Sequence, residues 1–137
     1  MTFRTLFLAG INAVVFAIAQ PAALAQTLKS DEHEFRVVKL VEGLEHPWGL
    51  AFLPDGRMLV TERPGRLRII KDGKLEPQPV AGLPQIAVHG QGGLLDVALH
   101  PRYAENNFVY LSYAARGGDG VGTEVARGKL VGNRLEN

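Results

Sequence analysis

The chain has 137 residues, with 15 lysine and arginine against 14 aspartate and glutamate residues, and it contains no cysteine. This charge balance, without a basic stripe, gives no support to nucleic-acid binding, and no lysine-rich amphipathic stretch points to a membrane surface. Without cysteine the fold must be stabilised by apolar burial, by closed sheet geometry or by a ligand, because disulfides are excluded.

Residues 1–25 have the pattern of a secretory signal peptide. Arg4 supplies a positive charge, residues 6–19 are mainly apolar, and Ala23-Leu24-Ala25 has the small residues that signal peptidase recognises. The apolar run is shorter than the ~20 residues of a membrane span, and Gln20-Pro21 interrupts it. We therefore expect cleavage after Ala25, a periplasmic or secreted location, and no membrane span in the mature protein.

The mature part, residues 26–137, alternates short apolar runs with turn signals and predicts an all-β fold. Pro54-Asp55-Gly56 and Lys71-Asp72-Gly73 are typical turn sequences, because glycine accepts positive φ and proline presets φ. No long stretch of this part has helical periodicity. The predicted strands cover residues 35–40, 48–52, 58–62, 67–70, 94–99, 108–113 and 123–130.

Two segments of the mature chain repeat one pattern. Trp48–Asp55 and Leu95–Arg102 each run from an apolar strand through a proline turn towards a second strand. Pro54 and Pro101 lie 47 positions apart, since 101 minus 54 is 47, and this period is typical of β-propeller blades. A ring needs about four to eight blades. The sequence therefore predicts the first blades of an incomplete propeller, and we expect no closing strand at residues 135–137.

The glycine-rich segment 118–122 superficially resembles a phosphate-binding loop. It lies between predicted strands and opens no helix, so the usual mechanism of anion binding is missing. We predict a hairpin connection. The single carboxylate of Asp119 is too little to indicate calcium.

Several other residues have structural interpretations. Trp48 is predicted to pack between sheets, as large aromatic side chains usually do. Glu62 and Arg63 are predicted to form a local ion pair of small energy. His33, His46 and His100 lack the spacing of metal ligands, and His100 is predicted to cap a strand.

The strongest candidate for a binding site is the segment His89-Gly90-Gln91-Gly92-Gly93. Glycines allow backbone to approach a ligand closely, and polar side chains on a turn backed by an apolar strand are common at binding sites. The alternative is that Gln91 and His89 are ordinary solvent-exposed loop residues.

Four motifs in the mature chain, at residues 47–56, 61–67, 90–96 and 109–113, carry a family resemblance. They resemble, in order and spacing, the opening blades of the soluble sugar dehydrogenases that depend on pyrroloquinoline quinone, the glucose/sorbosone dehydrogenase family, and within it the aldose sugar dehydrogenase branch. The resemblance extends from about Phe35 onward.

The resemblance implies a six-bladed propeller that holds the quinone on its top face. Calcium ions would anchor the cofactor and in some members join subunits, which makes a homodimer one expected assembly. The implied enzyme oxidises the C1 hydroxyl of an aldose to a lactone. A histidine base takes the hydroxyl proton, hydride passes to the quinone C5 carbon, and an external acceptor then takes the electrons.

The resemblance also implies which site residues this chain has. Gln91 matches a glutamine that reaches into the substrate and cofactor pocket, and its amide can donate to and accept from sugar hydroxyls. Gly90 and Gly92 would shape its turn, and His89 would lie at the pocket rim. The family base lies in a His-x-Gly-Gly-Arg-Leu segment, which does not occur before Asn137. We therefore expect neither a catalytic residue nor a metal ligand in this chain, and no activity from it alone.

Two other interpretations remain open at this point. The scaffold could be a non-catalytic extracellular propeller that binds protein or glycan, because a fold does not determine a function. Alternatively the chain could be a remnant that neither folds alone nor acts, with an unpaired sheet edge that promotes aggregation.

Overall fold

The computed structural model describes residues 27–136, which fall into two units. The predicted signal peptide lies outside the described residues. The first unit, up to Val38, has a hairpin in which β1 (Thr27–Lys29) pairs antiparallel with β2 (Glu34–Arg36). The strand predicted over 35–40 is wrong beyond Arg36, because residues 37–40 are exposed and have no strand geometry. In residues 27–136 no helix is long and apolar enough to cross a membrane.

The second unit, from Lys39 onward, contains two four-stranded antiparallel sheets, each in chain order. This is the construction of a propeller blade, so the all-β class and the two-unit repeat are confirmed. The first sheet comprises β3 (Pro47–Phe52), β4 (Met58–Glu62), β5 (Arg66–Lys71) and β6 (Lys74–Leu75). The second comprises β7 (Leu94–Leu99), β8 (Phe108–Gly117), β9 (Gly120–Val131) and β10 (Arg134–Glu136).

The strand β10 was not predicted. The predicted strands end at residue 130, but Arg134–Glu136 pairs with the end of β9, and Leu135 is buried against the core. Three residues after the Gly132-Asn133 turn are too few to show alternation in the sequence. A single helical turn, α1 (Tyr103–Asn106), was likewise too short to produce a helical period.

The predicted turns are present. Gly56 has φ 85°, and Asp72 and Gly73 have φ 50° and 71°, so both hairpins use the positive-φ residues that the sequence provides. Gly118 and Asp119 connect β8 to β9 next to the Gly117–Gly120 pair. The glycine-rich segment is therefore a hairpin connection, as predicted.

One hydrophobic core contains side chains from both sheets. Leu59 and Leu67 of the first sheet and Leu94, Val109 and Leu111 of the second are at most 1% exposed. Their positions follow the period-2 alternation of the strands, which places every second side chain on the buried face.

The prediction that Trp48 packs between the sheets is wrong. Trp48 is 57% exposed, and Leu50 and Phe52 on the same face of β3 are 50% and 69% exposed. The buried positions of β3 are taken by Gly49 and Ala51. A side chain at Gly49 would collide with Asp96 of β7, so this edge of β3 approaches the second sheet too closely for any large residue.

Candidate functional site

The predicted site segment forms a loop whose base is closed on one residue of β8. Ala87 donates its amide to the Ala114 carbonyl at 2.7 Å, and the Ala114 amide donates to the Gly93 carbonyl at 2.8 Å. The loop, residues 87–93, is therefore attached to the second sheet at both ends. This attachment limits the motion of its tip.

The tip of the loop is a tight turn that exposes Gln91. The Gly92 amide donates to the His89 carbonyl at 2.8 Å, and Gly90 has φ 55°. Positive φ at the first central residue only is the pattern of a type II′ turn, which favours glycine there. His89, Gly90 and Gln91 are all exposed. The turn thus holds the Gln91 side chain away from the core.

Arg63 of the first sheet holds this turn. Its Nη1 donates to the Gly90 carbonyl at 2.9 Å and to the Gly92 carbonyl at 3.1 Å. Its own carbonyl accepts from the Leu94 amide at 3.0 Å, at the start of β7. The predicted Glu62–Arg63 ion pair is wrong, because the Arg63 guanidinium points to the loop while Glu62 binds other arginines.

Gly93 allows this close approach. A Cβ at Gly93 would overlap the Arg63 carbonyl oxygen and lie 2.7 Å from its Cγ. A Cβ at Gly92 would lie 3.0 Å from the Ala114 Cβ, so Gly92 is needed for packing, while its amide closes the turn. The run of glycines therefore seats the loop against both sheets.

The turn that carries Arg63 is fixed by a buried carboxylate. The Glu62 side chain is fully buried; it accepts from Arg66 Nε at 2.6 Å, from the Glu45 amide at 2.6 Å and, more weakly, from Arg68 Nη1 at 3.4 Å. Burial acts to raise the pKa of Glu62, but the hydrogen bonds from Arg66 and the Glu45 amide outweigh it, so this pKa lies below its usual value. The Arg66 pKa is raised by Glu62 and Glu45. Both groups stay ionised at neutral pH.

A buried hydroxyl joins the two sheets at the same end. Thr61 Oγ1 accepts from the Gly49 amide at 2.8 Å and donates to the Leu95 carbonyl. Thr61 is fully buried and its bond with Gly49 lies away from water, while the bond to Leu95 is partly buried. The β4–β5 turn and the loop 87–93 are thereby held at a fixed separation.

The other histidines lie apart from one another in the sequence and in the sheets. His46 is exposed, has φ 47°, and accepts from the Arg63 amide at 3.0 Å. His100 follows β7; its Nδ1 accepts from the Arg102 amide at 3.0 Å and contacts Asn106 Nδ2 at 2.9 Å, which is the capping geometry predicted for it. His33 lies in the N-terminal hairpin. Within residues 27–136, no group of three His, Asp or Glu side chains is placed to hold a metal ion.

The largest of the described cavities lies elsewhere. It has a volume of about 430 Å³, and residues of the β3–β4 and β5–β6 turns line it, including Asp55, Arg57 and Asp72. These turns are at the opposite ends of the strands from Arg63. Asp55 and Arg57 already pair with each other at 2.7 Å. The candidate site is therefore the loop 87–93 and not this cavity.

Sequence reasoning missed Arg63 as the residue that holds the loop. Arg63 and the carbonyls it binds are separated by 27 and 29 positions, so no local pattern links them. The available signal was that an arginine directly precedes Pro64-Gly65 in a tight hairpin turn. The turn itself does not require an arginine at that position.

With this geometry, comparison with known proteins decides the family. The glucose/sorbosone dehydrogenase family model matches residues 44–137. The chain belongs to this family. Aldose sugar dehydrogenase YliI of Escherichia coli is 43% identical over 117 residues, which is 84% of this chain and 32% of that protein. Quinoprotein glucose dehydrogenase B of Acinetobacter calcoaceticus is 28% identical over 95 residues, or 67% of this chain and 20% of that protein.

Solved structures agree with the fold of this family member. A glucose dehydrogenase crystal structure is 53% identical with a TM-score of 0.65, over 69% of this chain and 29% of that one. The PQQ-bound aldose sugar dehydrogenase of Streptomyces coelicolor is 27% identical with a TM-score of 0.63, over 73% of this chain and 29% of that one. The chain therefore spans between about a fifth and a third of the length of these relatives.

Proposed function

We propose that the full-length protein is a periplasmic quinoprotein that oxidises the C1 hydroxyl of aldose sugars to lactones. The observation that carries the proposal is the exposure of Gln91 on the hydrogen-bonded turn of the loop 87–93, in a chain of the glucose/sorbosone dehydrogenase family. Gln91, with Gly90, Gly92 and His89, would form one wall of the site for sugar and cofactor.

The chemistry of the loop fits this role. An exposed side-chain amide on a fixed turn can donate to one hydroxyl of a polyol and accept from another, and a fixed starting point for that side chain favours one sugar orientation. His89 stands beside it at the rim. Pyrroloquinoline quinone, when bound, would accept the hydride from C1. The name of the Acinetobacter relative and the PQQ-bound Streptomyces structure support this cofactor.

Other parts of the site would come from other segments of the full-length protein. The cofactor is a polyacid and needs cationic partners, while Arg63 is the arginine bound at this loop and is engaged by its carbonyls. Within residues 27–136, no cluster of three His, Asp or Glu side chains is placed to hold calcium. We place the catalytic base, the cationic ligands and calcium beyond this chain. Export through a signal peptide cleaved after Ala25, an external electron acceptor and a homodimer complete the proposal.

The test is reconstitution of the full-length apoprotein with pyrroloquinoline quinone, with and without calcium, followed by dye reduction. We expect a quinone-dependent rate with glucose or another aldose. We expect none with a methyl glycoside of the same sugar, because its C1 oxygen is blocked. Absence of a quinone-dependent rate with every aldose would contradict the proposal and favour a non-catalytic binding propeller.

The role of Gln91 has its own test in the same protein. We expect Gln91→Ala to lower kcat/KM for the best aldose by roughly tenfold, the worth of about one lost hydrogen bond. Gln85→Ala is the matched control, because Gln85 is also exposed and lies just outside the loop. Equal rates for the two variants would remove Gln91 from the site.

A further inference from the structure

We propose that Arg63 is a positioning residue for the site, which holds the two carbonyls that flank Gln91 and so fixes the backbone position from which the Gln91 side chain projects. The inference rests on the proposed function, because it gives Arg63 its role through the substrate- and cofactor-facing loop. It assigns a function to the first sheet, whose residues did not enter the predicted site.

The geometry of the contact carries the first step. One nitrogen, Arg63 Nη1, has two hydrogens and makes two bonds, to the Gly90 carbonyl at 2.9 Å and the Gly92 carbonyl at 3.1 Å. These carbonyls belong to the residues immediately before and after Gln91. With both fixed, rotation of the Gln91 backbone would break at least one bond. Bonds from a charged donor are stronger than neutral ones, which matters in a segment where glycines permit many conformations.

The second step is that hydrogen bonds hold the backbone of Arg63 in place. Its amide donates to the His46 carbonyl at 3.0 Å, and its carbonyl accepts from the Leu94 amide at 3.0 Å. The Gly65 amide closes the hairpin on the Glu62 carbonyl at 2.9 Å. The guanidinium therefore extends from a rigid base.

The third step separates positioning from simple adhesion between the sheets. The sheets are joined without the Arg63 side chain, through the Thr61–Leu95 hydrogen bond and the shared apolar core. The Arg63 backbone bonds to His46 and Leu94 also survive truncation of the side chain. Removal of the guanidinium should therefore release the turn at Gln91 and leave the stacking of the sheets intact.

The experiment is a double-mutant cycle in the full-length protein loaded with pyrroloquinoline quinone. We expect Arg63→Ala to lower kcat/KM for the best aldose by up to about tenfold, and by no more than Gln91→Ala does, because Arg63 acts through Gln91. Arg63→Ala combined with Gln91→Ala should be no worse than the stronger single variant, because Arg63 acts through Gln91. Arg57→Ala is the control, since Arg57 pairs with Asp55 at the other end of the sheet.

A second readout does not depend on activity. In the apoprotein, hydrogen exchange of the Gly92 amide should accelerate in Arg63→Ala and stay at the wild-type rate in Gln91→Ala, with unchanged circular dichroism for both. Arg63→Lys should give an intermediate rate, because an ammonium group keeps the charge and loses the planar fork. Free guanidinium ion, added well below denaturing concentrations, should restore kcat/KM in Arg63→Ala and have no effect in the double variant.

Multiplicative losses in the cycle would overturn the proposal and point to a direct contact between Arg63 and sugar or quinone. Unchanged Gly92 exchange in both Arg63 variants would overturn it as well. If the wild-type protein shows no quinone-dependent rate, the proposed function fails, while the exchange measurement still decides whether Arg63 orders the loop.

Discussion

The two sheets of the second unit have the same strand frame and differ in what connects the strands. The first strand of each sheet, β3 and β7, has a bulge at an equivalent position, at residues 48–49 and 95–96. In both, a hydroxyl of the next strand accepts from the bulge amide: Thr61 from Gly49 at 2.8 Å and Ser112 from Asp96 at 3.0 Å. The frame is therefore repeated down to individual hydrogen bonds.

The connections are not repeated. The first sheet has the three-residue loop between Glu62 and Arg66, fixed by a buried carboxylate. The second sheet is preceded by a long connection that ends in the exposed loop 87–93. The first sheet contributes the fixed turn that carries Arg63, and the second contributes the loop 87–93 with the exposed Gln91. The candidate site therefore depends on a contact between two connections that differ, although the sheets themselves have the same strand arrangement.

The largest expected effect concerns the outer faces of the pair of sheets. We expect residues 26–137, expressed alone, to be marginally stable or to aggregate, because Leu50, Phe52 and Val125 are 50–70% exposed and large apolar patches promote association. Circular dichroism, limited proteolysis and size-exclusion chromatography measure this. Leu50→Ser with Phe52→Ser should reduce aggregation if the face is responsible, while a charged substitution on β10 should do so if the sheet edge is. A cooperative, monomeric melt of the unsubstituted piece would contradict the expectation.

Removal of the buried carboxylate is the next largest effect. Glu62→Ala should lower the free energy of unfolding of the full-length protein by about 3 kcal/mol, at the low end for a broken buried pair because Arg66 is partly exposed and keeps Glu45. Urea denaturation measures it. Asp55→Ala, which breaks an exposed pair, is the control with little expected change.

The same carboxylate has a pH signature. The pKa of Glu62 in the folded protein is lower than its ordinary value of 4.5, so its stabilisation is complete above about that pH and is lost as the pH falls through the lower folded value. At neutral pH, Glu62→Gln should therefore have a lower free energy of unfolding than the wild type. Between pH 5 and pH 3 it should lose less of that free energy than the wild type does, because glutamine has no carboxylate to protonate. Parallel curves for the variant and the wild type would contradict this assignment.

A methyl group added where the loop 87–93 meets the turn that carries Arg63 should lower the free energy of unfolding somewhat less than Glu62→Ala does. Gly93→Ala places a Cβ on the Arg63 carbonyl, and we expect a loss of about 2 to 3 kcal/mol in stability with faster exchange at Gly92. Gly117→Ala is the matched control, since nothing lies within 4 Å of its added Cβ. Similar stabilities for the two variants would show that the turn can retreat from the loop.

The smallest effect compares the two equivalent hydroxyls. Thr61→Val leaves the Gly49 amide and the Leu95 carbonyl without their partner in a buried place, which should cost about 2 kcal/mol. Ser112→Ala should cost about 0.5 kcal/mol, because Asp96 is exposed and water can replace the hydroxyl. Thermal or urea unfolding of both variants measures the difference, and equal costs would show that the hydrogen bond to the second sheet adds nothing.

The strands and turns were predictable because their signals are local. The alternation of residues 66–69 in β5 and the Pro54-Asp55-Gly56 turn involve neighbouring residues, and the structure follows them. Trp48 was placed wrongly because the closeness of Gly49 to Asp96 is a property of two strands 47 positions apart. The loop 87–93 was found from composition and from family resemblance. Its support by Arg63 was missed for the same reason as the exposure of Trp48.

The Thr61 hydroxyl has a single hydrogen, and that hydrogen goes to one carbonyl of the second sheet. Packed apolar side chains allow one sheet to slide slightly along another. The Thr61–Leu95 hydrogen bond, in contrast, forms at only one position of the first sheet along the second. The position of the second sheet along the first, and with it the base of the loop 87–93, thus depends on a hydroxyl that lies buried between the sheets.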